Sequence, residues 1–291
     1  MTGGRGAVGG PATVLVFSAI VLLAASALYF GPDYPAHVPL TIGVSAFDSA
    51  AAGPQLESMA ALVRESGGGD IEWVWVSPER IPCGCDLYLM TSVGLRPFLE
   101  SGRLDLIMVA SARPDGAPGR GVLISVSGRE DPADGDSVTV AYTSPRSSTG
   151  FVSPRAALGS TGIHGARTGV FVSPEGFPIC PIPVVYGVLD GRWDLGGVPL
   201  EGLRLLERRG LVEEGSLSVL AVGPEMHEIV LASDPGMESW KRQGFSSRLP
   251  GMASGFPGPL KRELERLGML SFRESSPEDV ESILGISSEG P

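Results

Sequence analysis

Positive charge is scarce in this chain. Its 291 residues hold 22 lysines and arginines against 33 acids, for a net charge of -11 and a pI near 4.8. A nucleic-acid partner needs a basic face to neutralise its phosphates, so that class is excluded. Small anions are not excluded, because neutral N–H and hydroxyl groups hold them locally. Cysteine and histidine are also rare, with three of each. No Ser/His/Asp or cysteine–histidine–acid arrangement accompanies them. There is no phosphate-loop lysine motif and no dinucleotide fingerprint. Repeats of solenoid length and long low-complexity tracts are missing. Charged residues make up 19% and hydrophobic residues 43%, the balance of a globular chain. Glycine (41) and proline (25) are plentiful, which predicts many turns and few long helices.

Residues Ala12 to Phe30 form one apolar run without a charge, close to the length of a bilayer crossing. Arg5 precedes it and Asp33 follows, so residues 1–11 read as cytoplasmic and everything after the run as extracytoplasmic. Ala25-Ser26-Ala27 offers a small-residue cleavage site, so the run is either a removed signal peptide or a membrane anchor at residues 12–30. No cysteine lies near its end to carry a lipid. Residues 31–39 hold three prolines and read as a linker.

Beyond the linker, element types alternate. Leu40–Ala46, Asp70–Ser77 and Leu104–Ala110 read as strands, with helices expected over Gln55–Glu65 and Asp86–Glu100. That order implies a parallel sheet covered by helices. Gly121–Ser127 is another strand, and the polar stretch from Gly128 to Asp136 reads as the approach to a second lobe. The domain expectation is one lobe from 40–127 and 228–291, and another from 128–227. Leu217–Val222 and Glu228–Ala232 are strand runs placed close together, as a second crossing between lobes requires. Helices are expected near Val184–Leu189, Leu200–Arg209, Pro259–Leu267 and Pro277–Leu284.

The most informative segment is Ser147-Ser148-Thr149-Gly150. It follows the strand-like run Ser137–Tyr142 and precedes a helix-compatible run, Phe151–Leu158. Helix N-termini leave backbone N–H groups unpaired and carry a positive partial charge. Hydroxyls and a glycine at that place make a cradle for an oxyanion. The same residue types also serve as a simple N-cap, and the local sequence admits both readings. Asp105 and Asp194 follow similar Gly turns and read as turn or strand-start residues. His37, His164 and His227 are scattered. His227 falls in the second crossing, where it reads as a surface residue or as one approaching a ligand.

Together these pieces resemble the type 2 periplasmic solute-binding proteins, and more narrowly the group that binds phosphate, phosphite and phosphonate for ABC transporters. Ile42-Gly43-Val44 resembles the opening of that family's first lobe. Leu99–Leu106 resembles its helix end, Gly turn and Asp-containing strand, and Leu189–Val198 resembles a second copy of that turn. Tyr142–Leu158 looks like its ligand loop and following helix. The resemblance implies a two-lobed α/β fold with an N-terminal transmembrane helix, no enzymatic activity and no cofactor. It implies a small anionic ligand held by Ser147, Ser148, Thr149 and Gly150, with Asp86 and Tyr88 at a first-lobe helix start facing the ligand. The implied partners are an ABC transporter permease and, through residues 12–30, the membrane. An enzyme or a signalling receptor on the same scaffold is the alternative. The resemblance also places the loops of Cys83, Cys85 and Cys180 at the cleft. There they could pack, form a disulfide, or hold a soft metal through three thiolates.

Overall fold

The computed structural model describes residues 40–45, 71–76, 81, 84–111, 113, 115–128, 138–163, 167–172, 181–237 and 271–286. The expected membrane run, the helices at 55–65 and 259–267, Cys83, Cys180, His37 and His164 lie outside these residues. Among the described residues no helix is long and apolar enough to cross a membrane.

Two sheets organise the chain. The first contains β1 (Leu40–Val44), β2 (Ile71–Trp75), β3 (Leu87–Thr91), β4 (Asp105–Ser111), β10 (Ile229–Ser233) and β11 (Ser271–Glu274), in the order β11-β4-β10-β3-β1-β2. The second contains β5 (Gly119–Val126), β6 (Thr139–Tyr142), β7 (Arg167–Phe171), β8 (Leu195–Pro199) and β9 (Leu217–Met226), in the order β7-β6-β8-β5-β9. The helices are α1 (Ser92–Glu100), α2 (Ser153–Leu158), α3 (Ile182–Leu189), α4 (Leu200–Arg208) and α5 (Pro277–Leu284). The chain passes between sheets twice, from β4 to β5 and from β9 to β10.

Neither sheet is purely parallel. β1 runs parallel to β2 and β3, but the returning β10 inserts antiparallel between β3 and β4. β5 likewise lies antiparallel between β8 and β9. β5 therefore belongs to the second lobe, and the first crossing falls between Ser111 and Gly119 rather than near 128. The cause is the two-faced burial of β5. Val122 and Ile124 pack with α3 and α4 residues on one side, while Leu123 packs with Val140, Tyr142 and Phe151 on the other. A strand apolar on both faces belongs inside a covered sheet.

A second correction concerns residues 86–100. The expected single helix is a strand, β3, followed by α1. All five β3 residues are buried, and Tyr88 and Met90 join the first-lobe core with Leu95, Phe98, Val109 and Val230. Thr91 ends the strand and caps α1, accepting from the Gly94 N–H at 3.1 Å. The local cap decided where a continuous apolar stretch splits.

Each lobe repeats one joint. In the first, the Asp86 carboxylate accepts from the N–H and hydroxyl of Thr41 at 3.0 and 2.9 Å. In the second, Asp194 accepts from the N–H and hydroxyl of Thr139 at 2.9 and 2.8 Å. Both pairs pin the starts of adjacent parallel strands, leaving the opposite, carboxyl ends to face the crossings.

Candidate functional site

Ligands of open α/β sheets bind beyond the carboxyl ends of the strands. Here those ends bring β6, β3 and the second crossing together. After β6, the turn Thr143–Arg146 leads into one π-helical turn, Ser148–Val152, continued by α2. Ser147 is the N-cap: its Oγ accepts from the Gly150 N–H at 2.8 Å. Gly150 is required there, because a Cβ would collide with the hydroxyls of Thr143 and Ser147. Beneath the turn Phe151 meets Tyr142 edge-on at 5.1 Å and Phe171 at 4.9 Å, which fixes its position.

The donors of Ser147, Ser148 and Thr149 converge on one side-chain carboxyl group. That group belongs to Glu228, in the second crossing. Oε2 accepts from Thr149 Oγ1 at 2.6 Å, Thr149 N at 2.7 Å, and the hydroxyls of Ser147 and Ser148 at 3.0 Å. Oε1 accepts from Ser148 N at 3.3 Å. So the segment is a helix cap whose remaining donors hold a side-chain carboxyl group. Burial pushes the Glu228 carboxyl above its ordinary value, while the hydrogen bonds from Thr149, Ser148 and Ser147 pull the other way.

The backbone of this crossing is pinned from both lobes. Ser92, the first residue of α1, donates its N–H to the Glu228 carbonyl at 3.1 Å and its hydroxyl to the His227 carbonyl at 2.5 Å. The hydroxyl of Ser148 also lies 2.7 Å from the His227 carbonyl, so its single proton is shared between that oxygen and Glu228. The imidazole of His227 is buried and points into the first lobe. Its Nε2 lies 2.9 Å from Asp279 Oδ1 and 3.2 Å from Arg273 Nη2. Arg273 grips Asp279 through two parallel bonds of 2.5 and 2.6 Å. Burial lowers the His227 pKa and favours the neutral ring. Burial also pushes Asp279 up, but bonds from Arg273 and the Ser276 N–H prevail and hold it at about 2.

The remaining expected site residues do not join the cradle. Asp86 is engaged with Thr41 at the start of β3, six residues and roughly 20 Å of strand from Ser92. Tyr88 is fully buried in the first-lobe core, where its hydroxyl accepts from the Cys85 N–H. Cys85 packs in the same core. His227 is a buried hinge residue rather than a surface one. Among the described residues no cluster of histidine, cysteine and acid side chains could hold a metal ion. Glu228, Ser92 and Arg273 carry no motif, while Asp279 closes a capping box with Ser276 at the start of α5. The one other signal is the polar pair His227-Glu228 directly before the apolar run Ile229–Ala232.

Residues 96–280 match the family model described as the periplasmic substrate-binding protein of phosphonate ABC transporters. The chain belongs to that family. The matched span includes the cradle and both crossings. Members are substrate-binding proteins, which sets this chain apart from enzymes by membership. No curated protein matches the chain in a sequence search. Among solved structures it is similar to XAC2383 from Xanthomonas citri, bound to ATP, with 16% identity, TM-score 0.59, and coverage of 85% of this chain and 95% of that one. PhnD1 from Prochlorococcus marinus, in complex with methylphosphonate, gives 13% identity, TM-score 0.57, and 85% and 96% coverage. A binding-protein component of an ABC phosphonate transporter from Pseudomonas aeruginosa gives 13% identity, TM-score 0.56, and 84% and 83% coverage. At these identities the likeness establishes the two-lobed binding-protein fold.

Proposed function

We propose that this binding protein takes a small tetrahedral oxyanion of the phosphate or phosphonate class into the cradle of Ser147, Ser148 and Thr149, for uptake by an ABC transporter. One observation carries the reading: five donors from three consecutive residues already converge on one carboxyl group. The Glu228 oxygens stand where ligand oxygens would sit. The cradle lies at the crossings, where a change in lobe angle is felt, so occupancy can be coupled to lobe closure and recognition by a permease. The family places the binding lobes outside the cytoplasm, and residues 12–30 supply the export signal or the anchor that holds them there.

The test is titration calorimetry of the purified chain with methylphosphonate and inorganic phosphate. Parent protein should bind at least one of them. The triple variant S147A/S148A/T149A should lose several kcal/mol of affinity, since each charge-assisted hydrogen bond is worth about 1.5–3 kcal/mol. Equal affinity in parent and triple variant would return the segment to a helix cap alone.

A further inference from the structure

The cradle donors are covered: Ser147 and Ser148 are 0% exposed and Thr149 is 4% exposed. Glu228, whose carboxyl group these donors meet, is largely buried with part of its surface left exposed. Its backbone is held independently, by Ser92 on the carbonyl side. The side chain can therefore turn about its own bonds while the strand stays in place.

We propose that Glu228 is a resident anion of the cradle, a specificity-determining residue that any external oxyanion has to displace. The inference rests on the oxyanion reading above. Each N–H or hydroxyl has one proton to give, so two anions cannot both be served by one set of donors. Two carboxylate-like charges a few ångströms apart also repel. Glu228 is tethered, so its effective concentration at the cradle is high and never falls to zero. A rival must offer more than a carboxylate does. The tetrahedral head of a phosphonate or phosphate brings three or four oxygens to donors that now meet chiefly one, Oε2. A carboxylate ligand brings two and gains nothing over the resident group. The cradle thus selects tetrahedral oxyanions against carboxylates.

The experiment uses the full 291-residue chain in detergent, with methylphosphonate and acetate as probes. Calorimetry on the parent should show binding of methylphosphonate and none of acetate. E228A should bind methylphosphonate at least roughly tenfold more tightly, because the tethered competitor is gone, and should now bind acetate. E228Q keeps the side-chain size without the charge and should fall between the two. Parent affinity equal to or tighter than that of both variants overturns the inference while leaving the oxyanion reading intact. No methylphosphonate binding by parent, E228A or E228Q overturns the oxyanion reading and this inference with it. A measurement on the parent alone covers the case where the variants fold poorly. Crystals grown with saturating methylphosphonate should show Glu228 turned out of the cradle. Methylphosphonate bound with Glu228 still on Thr149 would overturn the proposal.

Discussion

Thr149 serves Glu228 twice: its hydroxyl and its N–H both donate to Oε2, at 2.6 and 2.7 Å. Thr149 belongs to the second lobe and Glu228 to the crossing that enters the first. The pair is thus a bolt across the hinge as well as the core of the candidate site.

Breaking the bolt should cost stability. T149A removes one charge-assisted bond to a carboxylate, worth about 1.5–3 kcal/mol, whereas T149S keeps the hydroxyl and should lose well under half of that. Urea denaturation of the two variants checks this. Equal losses would mean that the threonine methyl group, not its hydroxyl, matters.

The acid–base behaviour of the hinge has two opposite limbs. Glu228 has its native pKa raised by burial, so its contribution is present below the ordinary value of 4.5 and is lost as pH rises through the native value. E228Q should lack that decline. Asp279 is held at about 2 against an ordinary 3.8, so its contribution is present above 3.8 and lost as pH falls towards 2. D279N should lack that acid limb. His227 has its pKa lowered by burial, so its contribution is present above its ordinary 6.5 and is lost as pH falls. That limb is common to parent and E228Q, whereas D279N removes the Asp279 partner that opposes the lowering, so the D279N profile is read below about pH 4, away from the His227 limb. Urea midpoints between about pH 2 and pH 8 give the profiles. An E228Q profile superimposable on the parent's above pH 4.5 would contradict the assignment for Glu228.

Gly150 should tolerate nothing larger. G150A forces a methyl group against Thr143 and Ser147, and overpacking of this kind costs about 1–3 kcal/mol. Because Ser147 is displaced, methylphosphonate affinity should fall with stability. A stable G150A with unchanged affinity in calorimetry would show that the turn can relax without disturbing the donors.

The two Thr–Asp joints should behave alike. D86A and D194A each remove acceptor contacts to a neighbouring strand start, for a loss of about 1 kcal/mol per hydrogen bond. Lying in separate lobes, their effects should add in the double variant if the chain unfolds in one step. Marked non-additivity in denaturation would show coupling that the fold does not display.

Much of the fold is readable from alternation of apolar runs and turns, because strands such as β4 and β10 are buried along most or all of their length. Local pattern failed where tertiary pairing decided. β5 looks like a continuation of the first lobe, and only its antiparallel pairing with β8 and β9 assigns it to the second. Residues 86–91 carry an apolar sequence that suits helix or strand, and β1 and β10 on either side select strand. The donors of the site were legible because hydroxyls before a helix have a local meaning. Their occupant was not, because Glu228 is separated from Thr149 by 79 positions and has no motif of its own. Asp86 shows the matching ambiguity: an acid at a strand start and an acid at a helix start look the same in sequence, and only its partner, Thr41, tells them apart.

The backbone amides of Ser148 and Thr149 report on the cradle directly, through their proton chemical shifts. In the ligand-free parent, both should lie downfield, as N–H groups held by a carboxylate do. In E228A both should move upfield, and adding methylphosphonate to E228A should bring them back. Amide shifts in E228A that match the parent's, and that ignore methylphosphonate, would contradict the claim that this cradle is an anion site filled by Glu228.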